Sequence, residues 1–428
     1  MLLALQNMAL LENRFCLLWD ESHLWGVMLC RALEQFHIPF YVARSHDIRQ
    51  GLLEKQPPAA LLVPGGWARY KAGSLGSTGL KMIKDYVARG GRYLGFCGGA
   101  GLALKTGPGH QCLELCSWGR KTFRERLPNF SGHIRCALSP EIPWDLDSAL
   151  LPVWWPSQFS PDPSDHRVTV LASYLSPGQD FWVSDLKLSS IRPQDIPDWE
   201  ALYGVNLNPD MITHEPCLIK GSFGRGEYVL SYCHLETPNS PEANTILARI
   251  LASWLDADSR PDTHSCPAWN LQDPVCAWTS NALVLARQSL DRIIDQGMGQ
   301  FLFFWRKSWL LGWKRGIPGS PVNFLYALVC QAMHADPGPK ARLEWASRER
   351  EFQHLMTMFV QELSLYLCRE RLAITRSPSS PQSSSDADLS RQRQRLFGTF
   401  PGYGGIYARL LRELDTLVYA GYEQRFPR

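Results

Sequence analysis

One stretch constrains this chain more than any other: an apolar run that ends on a cysteine and passes at once into glycines. Tyr93-Leu94-Gly95-Phe96 reads as a buried strand, Cys97 terminates it, and Gly98-Gly99-Ala100 opens a helix. A sharp strand-to-helix turn of this kind pushes one side chain into a cleft. Small neighbours are required because the turn is crowded and often holds its central residue in a strained backbone region. A thiol placed there can be activated by the helix N-terminus behind it and by a histidine. The same residues also read as a core cysteine at a strand end, since cysteine is among the most buried residue types.

The first third of the chain alternates strand-like and helix-like segments. Phe15 to Trp19, Pro39 to Ala43 and Ala59 to Val63 are short apolar runs, the last ending in Pro64-Gly65-Gly66. Asp20 and Ser22 can cap a helix reaching about Phe36. Leu80, Ile83 and Val87 recur at helical spacing before Gly90-Gly91. This alternation predicts an α/β fold, a parallel sheet covered by helices on both faces. In such sheets ligands bind beyond the carboxyl ends of the strands. Gly65-Gly66 and Cys97 both fall there.

A thiol nucleophile needs a base, and the base needs an orienting group. Tyr228 to Tyr232 forms another strand, which leads into Cys233-His234-Leu235-Glu236. His234 is the candidate base, and Glu236, two residues on, points to the same side of extended chain. Gly98, first in its helix, and Gly66, in a glycine turn, are candidate backbone donors to a developing oxyanion. The chemistry expected is attack of Cys97 on an amide or ester carbonyl, with a thioester intermediate.

Leu62-Val63-Pro64-Gly65-Gly66, Gly90-Gly91-Arg92-Tyr93-Leu94-Gly95-Phe96-Cys97-Gly98-Gly99-Ala100, and Gly226-Glu227-Tyr228-Val229-Leu230-Ser231 ahead of His234-Leu235-Glu236 together resemble the class I glutamine amidotransferase superfamily. The chain most resembles the domain at the N-terminus of fungal-type biotin-protein ligases, of the stand-alone bacterial type without the ligase. The resemblance spans Arg14 to Leu255. It implies a flavodoxin-like α/β fold and a Cys-His-Glu triad at Cys97, His234 and Glu236, with Gly66 and Gly98 as oxyanion donors. Three departures qualify what it implies. The cysteine is followed by Gly-Gly-Ala where glutaminases often carry a bulkier residue. No synthetase domain is present to receive ammonia. Gly224-Arg225-Gly226-Glu227 has only a superficial likeness to a biotin-ligase loop, so ligase activity is not expected.

At 428 residues the chain is too long for one ordinary domain. We expect an amidotransferase-like domain at 12–257, a linker at 258–273 and an all-α region at 274–428, with a disordered Ser/Pro/Asp loop at 375–392. Phe352, Leu355, Met356, Phe359, Leu363 and Leu367 form a bundle-core stripe on one long helix. Phe301 to Arg315 mixes aromatics with basic residues. It reads as a bundle helix with snorkelling Arg and Lys, the alternative being peripheral contact with a membrane surface.

A net charge of +3 gives no reason to expect a nucleic-acid partner. Met1 to Leu11 lacks signal-peptide features and no apolar run is long enough to span a membrane, so a cytoplasmic location is expected. Twelve cysteines without framework spacing read as reduced thiols. Cys112-x-x-x-Cys116 and His214-x-x-Cys217 are metal half-sites without partners, so neither a metal nor a cofactor is expected. The function expected is a thiol-dependent hydrolase or amidotransferase-like enzyme acting on a small amide or ester. The alternatives are a catalytically inactive ligand-binding or regulatory module of the same fold, or a scaffold whose helical region binds a partner.

Overall fold

Short apolar runs near the start of the chain become central strands because each is bounded by residues that begin or end a helix. The computed structural model describes residues 14–107, 109, 111–123, 126–140, 146–255, 265–314, 320–376, 387–399 and 402–428. The N-terminal stretch Met1 to Leu11 therefore lies outside the described residues. In chain order the first elements are β1 (Phe15–Leu18), α1 (His23–Gln35), β2 (Phe40–Ala43), α2 (Ser45–Arg49), α3 (Leu52–Lys55) and β3 (Leu61–Val63). They are followed by α4 (Ala68–Ala88), broken at Gly76, then β4 (Arg92–Phe96) and α5 (Gly98–Ala103).

Eight strands follow: β5 (Gly119–Arg120), β6 (Phe130–Leu138), β7 (Ser148–Trp154), β8 (Phe159–Ser160), β9 (Thr169–Pro177), β10 (Trp182–Val183), β11 (Leu186–Lys187) and β12 (Pro216–Phe223). Helix α6 (Ile196–Tyr203) lies before β12, and β13 (Gly226–Ser231) and α7 (Pro241–Ala252) complete this part of the chain. The parallel strands run in the order β2-β1-β3-β4-β13. This is the 2-1-3-4-5 order of a flavodoxin-like sheet, with its switch point between β1 and β3. The sheet continues from β13 through antiparallel β12, β9, β6, β10 and β11, with β7 on β6, to eleven strands.

Strand alternation divides the core in two. Phe15, Leu17, Phe40, Val42, Leu62 and Leu94 face α1, α7 and the C-terminal helices, whereas Cys16, Leu18, Tyr41, Leu61, Val63 and Tyr93 face the α4 side. The segment from about 108 to 210 gives little periodicity in sequence, yet it supplies the antiparallel half of the sheet. The alternation there is blurred by a register shift at Arg135/Cys136 in β6 and by another between Pro216 and Ile219 in β12.

The C-terminal region is helical, as expected, except for one hairpin. Its helices are α8 (Asn281–Gly299), α9 (Ser320–His334), α10 (Gly338–Arg376), α11 (Ala387–Phe397) and α12 (Gly405–Arg425). The stripe from Phe352 to Leu367 is buried on α10. The helix expected over 301–315 is instead the hairpin β14 (Phe303–Lys307) and β15 (Leu310–Trp313). Aromatic residues favour a pleated surface, and Phe303 packs edge-on against its cross-strand partner Trp313 at 4.8 Å. Its basic residues are engaged within the protein: Lys307 pairs with Asp180 at 2.6 Å, and Arg306 lies over Trp182 and donates to Ser131. No helix among the described residues is long and apolar enough to cross a membrane.

The expected linker is packed where it is described: Cys266, Trp269 and Leu271 are buried, while 258–264 lie outside the described residues. The expected loop at 375–392 is shorter at both ends. Residues 375–376 close α10 and 387–392 begin α11, and 377–386 lie outside the described residues. One apolar core runs without interruption from β1 and α1 into α8 to α12.

Candidate active site

Four strand ends converge at the carboxyl edge of the parallel sheet. β4 delivers Cys97, β3 delivers Gly65-Gly66, β13 leads to His234, and β1 leads to the loop from Trp19 to His23. Cys97 caps α5 with φ +47° and ψ −103°, a conformation rare for a side-chain-bearing residue. Its backbone N–H donates to Ser231 O at 2.7 Å, which ties the turn to the neighbouring strand. The residue is half-buried. Gly98 approaches the β3 turn so closely that a Cβ would lie 1.9 Å from Gly66 O. Gly66 itself has φ +117°, and a Cβ on it would lie 2.0 Å from Glu21 O. The crowding expected of this turn is therefore backbone against backbone, which is why Gly-Gly follows the cysteine.

His234 and Glu236 are both fully buried, and His234 Nδ1 lies 2.7 Å from Glu236 Oε1. A carboxylate only accepts, so Nδ1–H is the donor. Nε2 then carries the free lone pair of the neutral ring, and it has no hydrogen-bond partner among the described residues. Burial opposes charge on the imidazole, but the Glu236 carboxylate, with help from Cys97, outweighs it and raises the pKa to about 10. Trp25 covers the ring with centroids 4.3 Å apart, and Phe324 of α9 meets Trp25 edge-on at 6.1 Å.

The turn that carries this pair is fixed from several sides. His234 N–H donates to Pro152 O at 2.9 Å, Thr237 Oγ1 donates to His234 O at 2.7 Å, and Trp154 Nε1 donates to Thr237 Oγ1 at 3.0 Å. Asn244 donates to Leu235 O and Thr237 O, and in turn accepts from the Cys266 N–H.

Sequence reasoning singled out Cys97, His234, Glu236, Gly66 and Gly98, and all five lie at this edge. It missed a second layer. Lys71, in the first turn of α4, is fully buried and donates to Asp20 O at 3.0 Å and Ser22 Oγ at 2.6 Å. Glu21 and His23 both adopt positive φ. His23 bonds Asp415 of α12 and Tyr403, and Tyr403 also donates to Glu21. Asp20 and Ser22 carried a capping signal only, and nothing local marks Lys71.

The metal half-sites do not assemble. Cys112 lies against Thr106 Oγ1, and of the other three only Cys217 joins a cluster. Its Sγ lies with those of Cys136 and Cys233, all within 4.8 Å of one another and all in the apolar core. The twelve cysteines are free thiols. A cleft of about 540 Å³ lined by Leu53, Pro58, Tyr86, Arg89 and Arg92 lies at the opposite, amino-terminal ends of β3 and β4 and holds none of this chemistry.

Residues 32–106 match the family described as biotin-protein ligase, N terminal. The matched segment contains Gly66, Cys97 and Gly98 and stops short of His234 and Glu236. No curated protein matches the chain. Among solved structures, a GMP synthase subunit from Thermoplasma acidophilum is 12% identical, with 56% of this chain and 93% of that chain covered and a TM-score of 0.34. PurLQS from Thermotoga maritima is 13% identical, with 56% and 98% covered and a TM-score of 0.36. A β-galactosidase from Bacillus circulans sp. alkalophilus is 12% identical, with 57% and 31% covered and a TM-score of 0.35.

Proposed function

We propose that the protein is a thiol-dependent enzyme that cleaves a small amide or ester through an acyl-enzyme on Cys97, passing the acyl group to water or an amine. The observation that carries this reading is the fully enclosed His234–Glu236 hydrogen bond of 2.7 Å, beside a cysteine held at φ +47° on the adjacent strand end. A core cysteine needs neither the strained turn nor a buried histidine with a free ring nitrogen.

In this mechanism His234 Nε2 takes the thiol proton and Glu236 holds the tautomer and stabilises the imidazolium. The thiolate attacks the carbonyl. Gly98 N–H, one of the unpaired donors of the first turn of α5, and Gly66 N–H receive the developing oxyanion. His234 then gives its proton to the leaving group, and a thioester remains on Cys97 until water or an amine attacks it. Free thiols throughout the chain fit a reducing compartment, and we place the enzyme in the cytoplasm.

The test is thiol reactivity. Cys97 should react with iodoacetamide near neutral pH faster than free cysteine, and His234→Ala should abolish the advantage. Alkylation at the rate of free cysteine, unchanged in His234→Ala, would leave the fold as a ligand-binding module.

A further inference from the structure

A lysine with no solvent access and no carboxylate partner calls for an explanation. Lys71 is fully buried, and among the described residues no carboxylate oxygen lies within 4.0 Å of its Nζ. Lysine is almost never fully buried unless paired. Two of its three donors are used, on Asp20 O and Ser22 Oγ. Ser22 Oγ in turn donates to Leu18 O at 3.0 Å, so the ammonium is fixed by the end of β1. The side chain runs behind the β3 turn, its Cε 3.6 Å from where a Gly66 Cβ would stand.

We infer that Lys71 is a positioning residue of this site: its ammonium, fixed behind Gly66, stabilises the Cys97 thiolate and the oxyanion that forms against the Gly66 turn. The inference rests on the reading of Cys97 as the nucleophile. The charged groups around Lys71 are Glu21, Asp20 and Asp415, with Cys97 the thiol among them. Burial lowers the lysine's pKa to about 7, against the raising effect of those groups, so its charge is held only by the anions around it. A thiolate at Cys97 adds one more anion, and ionisation of the two groups is mutually reinforcing. Lys71 forms no bond and exchanges no atom in the reaction; it sets the energy of the anion that does.

The pH dependence of Cys97 carbamidomethylation by iodoacetamide, read by peptide mass spectrometry on the full chain, tests this. Lys71→Met should slow labelling at pH 7 by about tenfold, the equivalent of one pKa unit on the thiol. Lys71→Arg should restore most of the rate, and Ser22→Ala, which frees the ammonium from its hydroxyl, should shift the profile in the same direction by less. Wild-type profiles in folded Lys71→Met and in Ser22→Ala, with His234→Ala still shifting the curve, would overturn the role of Lys71 alone. Wild-type profiles in all three would overturn the thiol reading together with it. A slowing that Lys71→Arg does not restore would mark Lys71 as a packing residue and overturn the inference.

Discussion

Asp415, on the last helix, accepts from His23 Nδ1 at 3.1 Å, although the two residues lie 392 positions apart. The same carboxylate accepts from Trp19 Nε1 at 3.0 Å and from Arg44 at 3.1 Å. The C-terminal region is thus bonded to the loop that follows β1, the loop whose Glu21 carbonyl packs on Gly66. Removing one partner from a buried charged cluster is costly because the others stay buried and unpaired. Asp415→Ala should lose about 3–5 kcal/mol in urea unfolding.

The His23–Asp415 contact also sets a pH dependence. Burial works against charge on His23, but Asp415 and Glu21 outweigh it and raise its pKa from 6.5 to about 9, with Tyr403 the remaining neighbour. A raised folded-state pKa contributes stability in full below 6.5, and that stability is lost as pH rises through 9. Lys71 acts oppositely: its folded-state pKa of about 7 lies below 10.5, so its cost is full below pH 7 and eases toward 10.5. The difference between wild type and His23→Gln isolates the first effect. It should shrink steadily between pH 6.5 and 9 in urea titrations.

Glu236→Gln should leave the fold intact and cripple the thiol. The amide can no longer favour the imidazolium, so Cys97 alkylation and any turnover should fall by about 10²-fold or more, as for loss of the orienting carboxylate in related triads. Circular dichroism and alkylation rates measured side by side separate this from unfolding.

Two glycines of α5 should respond in opposite directions. Gly98→Ala drives a Cβ into Gly66 O and should cost about 1–3 kcal/mol or prevent folding. Gly101→Ala meets only Ala68 Cβ at 3.5 Å and gains helix propensity, up to about 1 kcal/mol. Thermal unfolding of the two variants checks the contrast.

The amidotransferase-like segment should not be soluble alone. Trp25, which covers His234, packs on Phe324, and the core around α1 continues into α9 and α12. A chain ending at residue 273 should aggregate or bind a hydrophobic dye strongly, as judged by gel filtration. A folded, soluble monomer would show that the two regions are separable.

The strand ends were legible because local pattern carries them. Phe15-Cys16-Leu17-Leu18, Leu61-Leu62-Val63 and Tyr93 to Phe96 are short apolar runs bounded by turns, and a parallel sheet follows from their alternation with helices. Cys97, Gly66 and His234-Leu235-Glu236 sit where those runs stop, so topology alone brings them to one edge. Lys71, Asp415 and Tyr403 carry no such mark. Each is brought to the site by packing between segments distant in sequence, and a lone lysine, aspartate or tyrosine on a helix or loop reads as surface. The hairpin at 303–313 was misread as a helix because a short aromatic run fits either period, and cross-strand pairs such as Phe303–Trp313 appear only once the chain is folded. The antiparallel strands β6, β9 and β12 escaped notice because bulges interrupt their two-residue alternation.

The most direct measurement is the capture of an acyl group on Cys97. The full chain is mixed with p-nitrophenyl acetate at neutral pH, nitrophenol release is followed at early times, and the Cys97 peptide is weighed by mass spectrometry. A burst of about one nitrophenol per chain, with an acetyl group on Cys97 that forms far more slowly in His234→Ala and is absent in Cys97→Ala, is the expected result. No acetyl group on Cys97, or one that forms at the same rate without His234, would contradict acyl transfer at this site.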